Sequence, residues 1–157
     1  MESCCFTGHR RLPTGDEGVR LVHLTEESVR DAYRAGCRRF FAGGALGFDM
    51  LAAAVVCRLR DTELSDISLH LLLPCRDQDS RWPPRERERY RRMIELADSY
   101  TYLYDTYTDG VMAARNRALV DAADLCIAYM KMQGSGTGLT VSMAKRRGIP
   151  VRNLAEE

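Results

Sequence analysis

The sequence predicts an α/β fold, one domain over residues 1–157, with a mostly parallel sheet of about five strands and helices on both of its faces. Two observations carry this. Short apolar runs alternate with segments of helical periodicity from end to end, and the connections between them are short and punctuated by glycine or proline. Parallel neighbours require a crossover, and right-handed crossovers distribute the helices over both faces. Composition agrees, since 45% hydrophobic and 29% charged residues match a soluble globular chain and exclude a disordered, collagenous or fibrous one.

Cys4-Cys5-Phe6-Thr7 reads as the first strand, ended by Gly8. Pro13, Gly15 and Gly18 crowd the next segment with breakers, so it reads as a loop. Thr25 then caps the first helix, Val29, Ala32 and Tyr33 share its apolar face, and Gly36 suits a left-handed stop. Arg39 to Ala42 is the second strand. Phe48, Leu51, Ala52, Val55, Val56 and Leu59 recur at i, i+3, i+4, i+7, i+8 and i+11, the clearest amphipathic helix in the chain. Ile67 to Leu73 is a third strand, apolar enough to be covered on both faces, with Pro74 as its end. Pro83 and Pro84 open a third helix whose buried stripe is Tyr90, Met93, Ile94 and Ala97. Thr101 to Tyr104 is a fourth strand, and Val111, Ala114, Ala118 and Ala122 lie along one face of the helix that follows. Leu125 to Met130 is the fifth strand; a short helix after it ends near Gly148, before a terminal strand fragment at Pro150-Val151.

The net charge is +1, from 23 basic and 22 acidic residues, so no global field draws the chain to nucleic acid or to a membrane. Nucleic acid is therefore a disfavoured partner. The arginine-rich segment Arg76 to Arg92 reads as a solvated, ion-paired face. Six cysteines occur without a C-x-x-C and with only three histidines, so zinc-type spacing is absent, and no metal and no required cofactor are expected. No apolar run approaches the roughly 18 residues that span a bilayer, and the N-terminus has no leader-like pattern. A cytoplasmic location with reduced thiols is expected.

In an open parallel sheet, ligands bind beyond the carboxyl ends of the strands, where strand order reverses. With strands one to three running outward in one direction and strands four and five in the other, that crevice falls between strands one and four. Three loops meet there in this reading: Thr7-Gly8-His9-Arg10, Gly43-Gly44-Ala45-Leu46-Gly47-Phe48-Asp49, and Gly134-Ser135-Gly136-Thr137-Gly138. Glycine at a strand-to-helix turn lets the backbone approach an anion, which the N–H groups and dipole of the helix N-terminus favour. One such turn is often only steric, whereas two in a small domain point to a phosphorylated ligand. Neither turn carries the lysine of G-x-x-x-x-G-K-[ST], which disfavours a nucleoside triphosphatase.

The candidate ligand-binding residues are Gly8, His9, Arg10, Gly43, Gly44, Gly47, Asp49, Tyr107, Arg115, Asn116, Gly134, Ser135, Gly136, Thr137 and Gly138. Successive helical residues point about 100° apart, so Arg115 and Asn116 face the crevice and Arg117 faces solvent or an ion pair. A ligand-facing Arg115 should carry little of the core. Asp49 reads as a helix N-terminal acid that holds its own loop together. Trp82, the sole tryptophan, either walls the site or packs under its loop. Tyr100, Tyr102 and Tyr104 alternate onto one face of the fourth strand, as core or as a subunit interface; Tyr107, beyond the strand end, is the better ligand contact.

Taken in order, Thr7-Gly8-His9-Arg10, the Gly-Gly-Ala-Leu-Gly-Phe-Asp turn, Gln78 with Trp82 and Tyr90, and Arg115-Asn116-Arg117 resemble the SLOG superfamily of Rossmann-like domains, and within it the YpsA-like family. That superfamily groups the LOG phosphoribohydrolases with the DNA-processing protein DprA. The resemblance spans nearly the whole chain. It implies a Rossmann-like domain that binds or senses a nucleotide or nucleotide-derived ligand, such as ADP-ribose, NAD or a nucleoside monophosphate, with the last glycine loop on a phosphate. Two alternatives accompany it: cleavage of an N-glycosidic bond, as in LOG enzymes, and single-stranded nucleic-acid binding, as in DprA-like proteins.

Against the first, the last position of the LOG-type loop Gly-Gly-x-Gly-Thr-x-x-Glu is Thr140 here. A hydroxyl does not replace a carboxylate in stabilising an oxocarbenium-like transition state. Thr140 should face the crevice, one helical turn after Gly136, and little or no phosphoribohydrolase activity is expected. Against the second stands the neutral charge balance. Related SLOG proteins commonly pair, and the tyrosine-rich fourth strand offers apolar area, so a homodimer is expected.

Overall fold

The computed structural model describes residues 1–132 and 134–157. In chain order the elements are β1 (Ser3–Gly8), α1 (Gly15–Arg34), β2 (Arg39–Ala42), α2 (Phe48–Thr62), β3 (Ser68–Cys75), α3 (Pro84–Leu96), β4 (Ser99–Tyr104), α4 (Val111–Ala122), β5 (Leu125–Tyr129), α5 (Gly136–Arg146) and β6 (Val151–Asn153), closed by a 3-10 turn at Leu154–Glu156. The six strands form one sheet in the order β4-β3-β2-β1-β5-β6, and every adjacent pair is parallel. This is the Rossmann-like α/β fold, with one strand more than expected. The fragment at Val151 pairs fully with β5, through Cys126 with Val151, Ile127 with Arg152 and Ala128 with Asn153.

Strand order differs from the expectation in one consequential way. β4 lies outside β3, so the sheet grows outward from β1 through β4 before the chain crosses back to place β5 on the other side of β1. The reversal therefore falls between β1 and β5, not between β1 and β4.

Alternation along the strands clothes the two faces. Cys4 and Phe6 on β1, Phe40 and Ala42 on β2, Leu69, Leu71 and Leu73 on β3, and Ile127 and Tyr129 on β5 pack against α1, α2 and α3. Cys5, Phe41 and Cys126 point the other way, into a smaller core with Leu119, Val120 and Ala144 from α4 and α5. Each buried side chain of Phe or Leu size contributes about 1.5–3 kcal/mol. β3 is thus fully covered on one face only, and His70 on its other face bonds Ser68 Oγ and Ser99 Oγ at 2.7 and 2.6 Å.

Two element boundaries and one buried face depart from the sequence reading for physical reasons. α1 starts at Gly15, and Thr25 is a buried mid-helix residue whose hydroxyl donates to Leu21 O at 2.7 Å. Gly18 marks a close approach within the helix start, since a Cβ there would stand 2.7 Å from Pro13 O. β3 runs past Pro74 to Cys75; its pairing with β2 has already ended at Leu71, so proline's missing N–H costs no bond to that strand. On α4 the buried residues are Val111, Arg115, Leu119 and Val120, while Ala114, Ala118 and Ala122 are half-buried.

β4 is a sheet edge, and its tyrosines are not core: Tyr100 and Tyr104 are 52% and 48% exposed. Among the described residues no helix is long and apolar enough to cross a membrane.

Candidate functional site

β1 leads to a helix on one face of the sheet and β5 to a helix on the other, so their exit loops diverge and leave a cleft. The cavity there measures about 270 Å³ and is lined by Thr7, Gly8, His9, Arg10, Ala45, Asp49, Met112, Arg115, Asn116, Leu119, Ser135, Gly136 and Thr137. It sits where an open parallel sheet binds ligands.

One wall is the start of α5. Ser135 caps the helix by accepting the Gly138 N–H on Oγ at 3.2 Å, and its own hydroxyl donates to Met132 O at 2.8 Å. The N–H groups of Gly136 and Thr137 are first-turn donors that no intrahelical carbonyl can reach. Both residues line the cavity, at the positive end of the helix dipole.

Another part of the lining is built on Arg115, which is only 5% exposed. Its Nη1 donates to Gly43 O at 2.7 Å and its Nε to Asn116 Oδ1 at 2.8 Å, leaving Nη2 as the part of the guanidinium without a partner among the described residues. Burial pushes the Arg115 guanidinium below its ordinary value, with Asp49 opposing; the group keeps its charge at neutral pH. Asp49, 4% exposed, accepts the Ala45 N–H at 3.2 Å. Burial pushes its carboxyl up, while Arg115, Arg10 and the N–H groups of Ala45 and Gly43 hold it down. Asp49 therefore does close its own turn, and it also presents a carboxylate face to the cavity.

His9 joins the walls. Its N–H donates to Tyr129 O at 3.2 Å and its carbonyl accepts the Phe48 N–H at 3.1 Å. Its Nε2 accepts the N–H groups of Lys131 at 2.8 Å and Met132 at 3.3 Å.

The structure thus brings Gly8, His9, Arg10, Asp49, Arg115, Asn116, Ser135, Gly136 and Thr137 to one cavity. Gly43, Gly44 and Gly47 lie behind it. A Cβ at Gly43 would come within 2.6 Å of Arg115, one at Gly44 within 2.5 Å of Leu73, and one at Gly47 within 2.2 Å of Arg10 O. Gly134 and Gly138 flank the cavity without lining it, and Tyr107 stands outside, 56% exposed, its N–H on Asp77. Arg115 contradicts the expectation that it carries little of the core. Thr140 does not face the crevice either: it is 0% exposed, and its hydroxyl donates back to Gly136 O at 3.2 Å. Arg117 is exposed as expected.

Thr7, Ala45, Met112 and Leu119 were not among the candidates. Met112 and Leu119 stand at i−3 and i+4 from Arg115, so helical spacing alone could have found them. Gln78, Trp82 and Tyr90 form a brace under the second loop: Gln78 Nε2 donates to Gly44 O at 3.4 Å and to Tyr90 Oη at 3.1 Å, and Trp82 meets Tyr90 edge to face at 5.2 Å. Trp82 accordingly packs under its loop. A larger groove, about 400 Å³, separates α2 from α3, but its floor is apolar and its polar groups are the α3 rim residues Glu86, Arg89 and Arg92.

The chain matches the family model described as the YspA SLOG family (YpsA) over residues 5–147. It is 28% identical over 145 residues to a UPF0398 protein of Oceanobacillus iheyensis, covering 87% of this chain and 78% of that protein. A UPF0398 protein of Halalkalibacterium halodurans is also 28% identical, over 156 residues, covering 94% and 82%. Among solved structures, the chain resembles DNA processing protein A from Helicobacter pylori, described for its single-stranded DNA binding mode, with a TM-score of 0.65 and 21% identity; the match covers 96% of this chain and 63% of that one, so this chain spans less than two thirds of that protein. The structural-genomics target TM1055 follows at a TM-score of 0.60 and 18% identity, covering 96% and 72%. At these identities the structural likeness shows the fold alone.

Proposed function

Because the chain belongs to the YspA SLOG family, we propose that its crevice binds or senses a phosphorylated, nucleotide-derived ligand, with phosphate at the start of α5. The observation that carries this reading is convergence: Gly136 and Thr137 of the first turn of α5 and the buried Arg115 line the same cavity. Each alone is an ordinary structural feature; together they place a fixed cation and a helix N-terminus around one anion-sized space. Asp49 supplies an acceptor for a sugar hydroxyl beside them. At about 270 Å³ the cavity lies at the small end of ligand pockets. This favours one phosphorylated nucleoside moiety, such as a nucleoside monophosphate or half of ADP-ribose, over a whole NAD. No catalytic residue is assigned: Thr140 is buried and does not line the cavity.

Native mass spectrometry of the freshly purified protein, followed by thermal shifts with AMP, ADP-ribose and NAD, tests the reading. A true ligand at a hundred times its Kd stabilises by about 2.7 kcal/mol, which raises Tm by several degrees in a chain of this size. The solved DNA processing protein supplies the competing outcome. Tight, salt-sensitive binding of a single-stranded oligonucleotide with no response to any nucleotide would overturn the proposal. We also propose a homodimer through the tyrosine-bearing edge strand β4, which sedimentation at micromolar concentration checks against a monomer of 17.8 kDa.

A further inference from the structure

We propose that His9 is a positioning residue, held as the neutral Nδ1–H tautomer, that fastens the β5–α5 loop to the rest of the crevice, so that protonating its ring weakens phosphate binding. This rests on the reading of the crevice above and deepens it.

Four hydrogen bonds of one residue tie its own loop to two others. The His9 main chain donates to Tyr129 O at the end of β5 and accepts from Phe48 N at the start of α2. The His9 ring accepts from the backbone N–H groups of Lys131 and Met132, at 2.8 and 3.3 Å, both on Nε2. A backbone N–H can only donate, so Nε2 must offer a lone pair and the proton of the neutral ring must sit on Nδ1. The Tyr129 ring meets the imidazole edge to face, with centroids 5.9 Å apart, which fixes the ring plane.

These contacts hold the stretch that leads to the phosphate wall. Asn153 grips Met130 at both its N–H and its carbonyl, at 3.0 and 2.9 Å. Ser135 then begins α5 and ties back to Met132 O. Between those two anchors, His9 is the side chain that takes up the N–H groups of Lys131 and Met132. An imidazolium carries N–H at both nitrogens and accepts nothing, so a proton on Nε2 would face two donors and release the loop.

The charges around the ring pull in both directions. Arg10 on its own loop, Arg115 on α4 and Lys131 after β5 disfavour an added proton. Asp49 on α2 favours it, as does Glu17 on α1, which is already paired to Lys131 Nζ at 2.6 Å. A bound phosphate would favour it too. Coulomb attraction alone therefore makes a histidine beside phosphate bind more tightly in acid, whereas the hydrogen-bond geometry here requires the opposite sign.

Three measurements on the full chain test this. Nitrogen-15 NMR of the ligand-free protein at neutral pH should show the His9 ring protonated at Nδ1 and bare at Nε2; the reverse tautomer overturns the proposal. Exchange of the Lys131 and Met132 amides, also without ligand, should accelerate about tenfold between about pH 7.5 and pH 5.5 relative to the pH dependence of α2 amides, as one or two hydrogen bonds are lost. His9→Gln, whose amide oxygen can replace the Nε2 lone pair, should remove that extra acceleration. ADP-ribose, whose pyrophosphate keeps its charge over this range, should then bind wild type about tenfold more weakly at the lower pH and His9→Gln equally at both. Unchanged or tighter binding by wild type in acid, or a variant that follows wild type, refutes the clamp. If ADP-ribose binds at neither pH, the ligand reading is what fails, and the tautomer and exchange results still decide the role of His9.

Discussion

The turns at Gly43–Gly47 and Gly134–Gly138 look alike as strings and differ as objects. In the first, glycine is demanded from inside the protein. Gly44 and Gly47 have φ of +74° and +85°, and a Cβ on either would collide with a neighbour. In the second, Gly134 and Gly136 have no heavy atom of the described residues within 4 Å of where a Cβ would stand. Their smallness answers to no neighbour in the fold. The same residue type thus records close packing in one turn and clearance in the other.

This contrast breaks or sharpens according to what substitution does in each turn. The largest effect should come from Arg115→Ala, which leaves Gly43 O without its donor and Asp49 without its nearest buried cation. Breaking such a buried charge arrangement costs about 3–5 kcal/mol, to be read from the urea midpoint; a loss under about 1 kcal/mol would show that the first turn does not lean on Arg115. Gly47→Ala follows, at about 2–4 kcal/mol, since left-handed strain adds to a clash with backbone that cannot swing aside. Gly44→Asp belongs with it, because the added side chain meets Leu73 before it meets any ligand.

In the second turn the signs should separate. Gly136→Asp should leave stability within about 0.5 kcal/mol, as exposed substitutions do, while lowering ligand affinity about a hundredfold through repulsion of phosphate in a partly dry site. Loss of stability in place of affinity would erase the distinction between the two turns.

The smallest effect lies at the far end of β1, away from both. Asp124 accepts the N–H groups of Glu2 and Ser3 at 2.8 and 3.1 Å, which hold its carboxyl below the usual aspartate value. A lowered folded value means that its stabilisation is complete above about pH 4 and fades as pH falls through that lowered value. Asp124→Asn should therefore flatten the acid limb of a pH–stability curve slightly and leave both turns unchanged.

The contrast also explains what was legible beforehand. Periodicity located five strands and the body of most helices, since burial on two faces writes itself into residue spacing, as in the Phe48 to Leu59 stripe; the first half of α1 was missed. Strand order was not legible, because the side of β1 on which β4 settles depends on a crossover that leaves no local mark. Gly15 and Gly18 read as breakers although one begins α1 and the other lets its first turn approach Pro13. The candidate site was half legible. Arg115, Asn116 and the Ser135–Thr137 turn reach the cavity, but the sequence could not distinguish a glycine that lines the cavity, Gly136, from glycines that meet Leu73 or Arg10.

The burial of Thr140 bears on what this chain could become. In the LOG-type loop that this one resembles, the corresponding position carries a glutamate; here the side chain is buried and its hydroxyl donates to Gly136 O. A single codon change to a carboxylate would deposit charge in a desolvated interior, at a cost that natural selection would meet before any catalytic gain. A lineage starting from this sequence would have to reorient the first turn of α5 before it could recruit an acid there. Any route from this sequence to a carboxylate at position 140 thus passes through a loss of stability.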